Sequence, residues 1–287
     1  MSSKGPLWPA QLDHFRIDSD DPARLAAFYQ TALGMSPTTL DDDSLLLEAP
    51  GRRLVVGRGV RGTQPFIAFR VQTDNQLDAL RRHAIARDRQ VLASPSPVFT
   101  SSAFAVRDPD GRLVVFGLPH AELTSRAPLA DLQAAKLPGR LQHVVVASNN
   151  LAPMLRFYED LGFVVSDYVV EESGEPTVGF FRSDPEHHSF GVFRCPETRP
   201  DHHAYETTCW NDIRDWADHL ATVEIKLWWG PGRHGPGNNL FFMIQDPHGY
   251  LIELSAELEV MPDEVTKRTW KHEERTLNLW GSAFMRS

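Results

Sequence analysis

Short apolar runs alternate with amphipathic stretches along the chain, and the alternation repeats. The segment from Leu12, LDHFRIDSDDPARLAAFYQTALGM, and the segment from Leu141, LQHVVVASNNLAPMLRFYEDLGF, follow one pattern. Each has an apolar strand carrying a His, then a polar cap, then a helix with Phe-Tyr fourteen residues after the His, and each closes on Leu-Gly. Asp21 before Pro22 and Asn150 before Leu151 are expected N-caps, and Gly34 and Gly162 suit left-handed helix ends. Leu151, Met154, Leu155, Tyr158 and Leu161 fall at helical spacing and should face a sheet.

A second pair of segments repeats as well. Phe104-Ala-Val-Arg-Asp-Pro-Asp-Gly and Phe242-Met-Ile-Gln-Asp-Pro-His-Gly each predict a strand, a tight turn and a returning apolar strand. Polar-capped helices are expected before them, over Asp74–Ala86 and Asn211–Thr222. Four units therefore follow one another, at about 12–57, 64–118, 140–195 and 202–256. The fold class expected is α+β. The domains are read as 1–118, a connector 119–139, a second domain 140–256 and a polar tail 257–287 carrying Trp270 and Trp280.

Composition narrows the function. With 287 residues, 41% hydrophobic and 23% charged, the chain has the make-up of a globular protein of about two domains. A formal charge of -9 argues against nucleic acid as a partner. The absence of a long apolar span argues against a membrane, and no leader is expected at the N-terminus. Cys195 and Cys209 form neither a disulfide framework nor a zinc knuckle, so a reducing cytoplasm is the expected setting.

Twelve histidines make metal chemistry worth seeking. His143 opens the third unit and His203 the fourth. Glu253 stands in the otherwise apolar returning strand Tyr250-Leu-Ile-Glu-Leu254. A carboxylate there is costly to bury unless it is paired or bound to a cation. Two imidazoles and a carboxylate form the facial triad that leaves positions open on iron(II). His202 is a rival to His203, and neighbouring strand residues point to opposite faces, so only one can join. In the first half His14 matches His143, while Phe66 takes the place of His203 and Val115 that of Glu253, so that half is expected to be metal-free.

Residues 10–256, most strongly Leu141 to Ala256, resemble the type I extradiol ring-cleaving dioxygenases of the vicinal-oxygen-chelate superfamily. The resemblance implies tandem βαβββ modules, four in two domains, whose curved mixed sheets surround a metal pocket in the second half only. The run from Gly230 to Glu253 matches the family pattern at His234, Asp246, Pro247, Gly249 and Glu253. The resemblance implies His188, fifteen residues before His203, as the acid–base residue facing O2, and His234 as a donor to substrate. Met243 stands where the family has a tyrosine, and a thioether cannot take or give a proton. Arg233 and His248 are further candidates for substrate contact.

The implied activity is cleavage of a catechol-like diol with O2 by an Fe(2+) centre, Mn(2+) being the other metal this ligand set accepts. The partners are then a small aromatic substrate and O2, and a homo-oligomer is expected. A glyoxalase- or isomerase-type lyase and a metal-free small-molecule binding protein are the alternatives on the same scaffold.

Overall fold

The computed structural model describes residues 4–120, 136–262 and 267–285. Two mixed sheets account for most of it. The first contains β1 (Gln11–Ser19), β2 (Ser36–Thr39), β3 (Leu45–Ala49), β4 (Arg52–Arg58), β5 (Phe66–Arg70), β6 (Leu92–Ala93), β7 (Phe104–Arg107) and β8 (Leu113–Gly117), in the order β2-β3-β4-β1-β5-β8-β7-β6. The second contains β9 (Arg140–Ser148), β10 (Val164–Val170), β11 (Pro176–Arg182), β12 (Phe190–Arg194), β13 (Arg199–Thr207), β14 (Trp229–Arg233), β15 (Leu240–Gln245), β16 (Leu251–Ala256) and β17 (Arg268–Lys271), in the order β14-β15-β16-β13-β9-β12-β11-β10-β17. Four βαβββ units are thus present. In each sheet two of them meet back to back through their first strands, β1 with β5 and β9 with β13.

The helices lie where their sequence signals place them: α1 (Pro22–Leu33), α2 (Asp74–Ala86), α3 (Leu151–Asp160) and α4 (Trp210–Thr222). Asp21 caps α1 through the Arg24 N–H, and Gly34 ends it at φ 63°. Asn150 makes no side-chain cap bond, so that expectation fails at α3. Most of the expected connector, residues 121–135, lies outside the described residues. The tail does more than trail: β17 pairs with β10 at the sheet edge, and α5 (Glu274–Leu277) follows it.

The two halves interlock through the residues that repeat. Tyr158 on α3 donates to Asp108 in the first sheet's Asp-Pro-x-Gly turn at 3.3 Å, and Tyr29 on α1 donates to Asp246 in the second sheet's turn at 3.4 Å. Each Asp holds its turn by accepting two backbone N–H groups, from Asp110 and Arg112 in one case and from His248 and Tyr250 in the other. Gly111 and Gly249 close these turns at φ 90° and 84°, where a side chain would be strained. The helix tyrosine of each half therefore secures a turn of the other half.

Asp108 also holds buried Arg112 at 2.9 Å. Replacing Asp108 by Ala strands two backbone donors, a tyrosine hydroxyl and a buried guanidinium, and should cost about 3 kcal/mol. Replacing the exposed Asp78 of α2 by Ala should cost no more than about 0.5 kcal/mol. Denaturant midpoints of the two variants measure the difference, and equal midpoints would remove Asp108 from its central place.

Candidate metal centre and active site

Strand register decides which histidines meet. In the β9–β13 pair Ala204 lies opposite His143, His203 opposite Val144 and His202 opposite Val145. Residues directly opposite share a face, so His143, Val145, His202 and Ala204 lie on one side, and His203 lies on the other. Glu253 on β16 is in register with Ala204 and joins the first group. The side chains brought together are therefore His143, His202 and Glu253, all buried, with one donor atom from each lying within 4.8 Å of the others.

His203 does not reach this group, which corrects the expectation that favoured it over His202. Its ring packs among Phe15, Tyr29 and Tyr205, and its Nε2 lies 3.3 Å from the Tyr29 hydroxyl. Burial, and then the neighbouring His202, pushes its pKa down to about 3. It is a neutral core histidine at the seam between the halves.

The two histidines are held by their predecessors in sequence, and Glu253 by Asn239. A bulge at Gln142 and another at Asp201 each add one residue to their strand. A bulge re-aims side chains locally, and here the predecessor of each His can bond its ring. Gln142 Oε1 bonds His143 Nδ1, and Asp201 Oδ2 accepts from His202 Nδ1 at 2.8 Å. Each Nε2 is thereby aimed inward, in the way outer partners orient metal-binding imidazoles. Asn239 donates to Glu253 Oε1 at 3.0 Å, leaving Oε2 toward the histidines. The first half carries the same device: a bulge at Asp13, with Asp13 accepting from His14 Nδ1 at 2.7 Å.

The distances suit one cation. The two Nε2 atoms are 3.3 Å apart, and Glu253 Oε2 lies 3.6 Å from His202 Nε2 and 4.0 Å from His143 Nε2. Bonds of about 2.1 Å at right angles would set donors roughly 3 Å apart, so a small closure suffices. Burial, then the neighbouring histidines, holds His143 well below its ordinary pKa. It therefore presents the neutral ring a metal needs. Two imidazoles and a carboxylate, with no thiolate, suit Fe(II) or Mn(II).

In front of the triad opens an apolar cavity. Val145, Val178, Phe180 and Phe193 form one wall, with Trp229, Met243 and the tail residues Leu277 and Phe284 among the others. His188 lines it with its ring 4.3 Å from that of His143. His234 lines it too, stacked on Phe241 at 3.8 Å with Nε2 3.6 Å from Glu253 Oε2. His234 Nδ1–H donates to the Leu277 carbonyl at 2.5 Å, which leaves Nε2 for the cavity. Met243 sits opposite Glu253 in the β15–β16 ladder, which puts its thioether on the cavity side.

Two candidates fall outside the cavity. Arg233 pairs with Leu240, on the face away from Met243, and is held by the Asn238 carbonyl and Glu257. His248 sits in the β15–β16 turn and bonds Ser19 of the first half at 2.7 Å. Asn239 and Asp201 were not anticipated, and of the tail, for which a place across the pocket mouth was one expectation, Leu277 and Phe284 were not named. A signal for His202 did exist: Asp13-His14, Gln142-His143 and Asp201-His202 repeat a polar–His pair, which His203 lacks.

With this geometry in view, comparison places the chain. The profile of the Glyoxalase/Bleomycin resistance protein/Dioxygenase superfamily matches residues 11–116 and 140–254. The chain belongs to this superfamily. Metapyrocatechase 2 of Cupriavidus necator is 29% identical over 174 residues, covering 54% of this chain and 52%, about half, of that relative's length. The manganese-dependent 2,3-dihydroxybiphenyl 1,2-dioxygenase of Geobacillus genomosp. 3 is 24% identical over 85% of this chain and 84% of its own. The structure of homoprotocatechuate 2,3-dioxygenase from Arthrobacter globiformis superposes with TM-score 0.83 and 22% identity, over 99% of this chain and 91% of that one. That likeness establishes the two-sheet fold.

The first half tests the ligand set from within. His14 lies opposite Ala68 as His143 lies opposite Ala204, and Ala68 is in register with Val115 as Ala204 is with Glu253. Phe66 thus corresponds to His202, one position from the alignment with His203. Its ring meets His14 edge-on at 5.7 Å, and His14 is spent on Asp13 and Ser96.

His202→Ala should abolish metal binding in a folded chain, as should Glu253→Ala. His203→Ala should keep the metal and lose stability, on the order of 2 kcal/mol for a cored-out ring. Metal analysis of the purified variants separates the two positions, and metal lost from His203→Ala alone would reverse the assignment.

Proposed function

We propose that the chain is a non-haem Fe(II)-dependent extradiol dioxygenase that opens a catechol-like ring with O2, with Mn(II) as the alternative metal. The observation that carries the reading is the triad itself. His143, His202 and Glu253 occupy one side of a cation site whose other side faces a cavity lined by apolar and aromatic side chains. The similarity to a metapyrocatechase and to a manganese-dependent 2,3-dihydroxybiphenyl 1,2-dioxygenase supports it.

A bound metal would supply the template on which two vicinal oxygens and O2 meet, and the path for electrons between them. The protein does the rest. Val145, Phe193, Trp229 and Met243 hold the ring and keep water out. His188 and His234 place ring nitrogens at the cavity, where a hydroxyl proton can be received and later returned. Met243 adds polarizable, adaptable surface where a hydroxyl would otherwise stand, which favours a substituted ring over bare catechol.

A cytoplasmic setting and a homo-oligomer belong to the same proposal. Cys195 and Cys209 are free thiols, and no helix among the described residues is long and apolar enough to cross a membrane. Trp210 and Trp280 pack against each other at an exposed surface, which a second copy could cover.

An oxygen electrode with Fe(II)- or Mn(II)-loaded protein and a panel of diols tests the activity. Ring-opened, yellow, O2-dependent product is expected, faster from alkyl- or aryl-substituted catechols than from catechol. Met243→Tyr should keep or raise catechol turnover. His188→Phe should retain metal and lose about 10²–10⁴-fold in turnover. No O2 uptake with any diol would leave a metal-dependent lyase or isomerase as the reading of the same site.

A further inference from the structure

Behind His188 lies a buried polar array that the proposed chemistry leaves unused. His187 has no exposed surface. Its Nδ1 lies 2.9 Å from His188 Nδ1, and its Nε2 lies 2.9 Å from Asp167 Oδ2. Asp167, on β10, is fully buried and also accepts from Trp270 Nε1 at 2.7 Å and from Arg268 Nε at 2.9 Å. Both of those donors stand on or beside β17, and Arg268 reaches on to Glu259 at 2.7 Å. The His187 backbone is fixed as well, its N–H donating to the Glu259 carbonyl at 2.8 Å and its carbonyl accepting from Ser166. Phe180 covers both imidazoles. Three polar groups thus run in line from the tail strand to the cavity.

The order of donors along this line follows from what each group can do. Burial raises the Asp167 pKa, but hydrogen bonds from His187, Arg268 and Trp270 outweigh that and hold it well below the usual carboxylate range. An ionised carboxylate only accepts, so His187 donates through Nε2. With the His187 Nε2–H donated to Asp167, the tautomer that leaves His187 Nδ1 as an acceptor places the proton of the Nδ1···Nδ1 bond on His188. His188 Nε2 is then bare and is the nitrogen left for the cavity that the ring lines.

We propose that Asp167 and His187 are positioning residues that hold His188 in one orientation and one tautomer, presenting Nε2 to the cavity as an acceptor for a substrate hydroxyl. The substrate part of this rests on the ring-cleavage reading; the tautomer does not. It supplies the acceptor that Met243, which lines the same cavity, cannot provide. It also gives the tail a task, since β17 carries the groups that hold Asp167.

The test has two arms. In the first, full-length protein loaded with diamagnetic zinc and labelled with ¹⁵N at histidine is read by long-range proton–nitrogen NMR, with His188 assigned through His188→Gln. His188 should carry its proton on Nδ1, keep it there in His187→Asn, whose side-chain oxygen falls near the place of Nδ1, and lose that preference in His187→Leu. In the second arm, the iron-loaded His187→Leu should lose about 10–100-fold in kcat, the usual effect of removing an outer partner, with KM and metal content held. His187→Asn should recover most of the rate, and Asp167→Asn should fall between. A proton on His188 Nε2 in the parent chain, or kcat equally reduced in the Leu and Asn variants, overturns the proposal. The expected tautomer pattern in a protein that cleaves no diol supports the positioning role and removes only the ring-cleavage reading.

Discussion

A carboxylate in the middle of an apolar strand must be met by hydrogen bonds or positive charge, because burying it otherwise costs several kcal/mol. Glu253 sits between Ile252 and Leu254 and is almost wholly buried. Asn239, in the loop between β14 and β15, donates to its Oε1, while His143 from β9, His202 from β13 and His234 from the same loop bring ring nitrogens to 3.6–4.0 Å of its Oε2, where a cation would complete the compensation. The inner face of the second sheet is built around that one residue. The ladder fixes which side chains share its face, the bulges aim the imidazoles at it, and the loop after β14 brings a third ring to it.

The duplicated architecture explains why the site is single. Both sheets place a strand His behind a bulge with an acidic or amide neighbour, so the scaffold of the centre exists twice. In the first sheet Phe66 and Val115 fill the other two positions and complete a small apolar cluster with Val98, Phe99 and Ala105. The volume that the second sheet leaves as a cavity is packed there with side chains. Chemistry and packing are thus alternative uses of one sheet face.

The seam between the halves is more than an interface. Tyr29 crosses from α1 to Asp246, and its oxygen also meets His203. The face of β13 opposite the triad is therefore anchored to the first half, while the triad face looks into the cavity. Burial raises the Asp246 carboxyl to about 6 against the hydrogen bonds that hold it. The β15–β16 turn is in this way tied to the strand that bears a triad residue.

The four units, their helices and the two Asp-Pro-x-Gly turns were legible from apolar periodicity and turn chemistry, because those depend on local spacing. So were His143 and Glu253, since a His opening a strand and a carboxylate inside an apolar one stand out without any fold. His188 and His234 rested on resemblance to a family, and both line the cavity. The choice between His202 and His203 was not legible from spacing alone. Strand parity reverses with each added residue, and the bulges at Gln142 and Asp201 appear only when strands are paired. The repeated polar–His pair held the answer in the sequence, but its meaning depends on the bulge that turns both side chains together. Arg233 and His248 were misplaced because proximity in sequence to the site does not say which face or which end of a hairpin a residue occupies. The place of the tail was decided by tertiary structure alone: β17 adds to a sheet edge about a hundred residues away in sequence, and nothing in its local pattern names Asp167 as its partner.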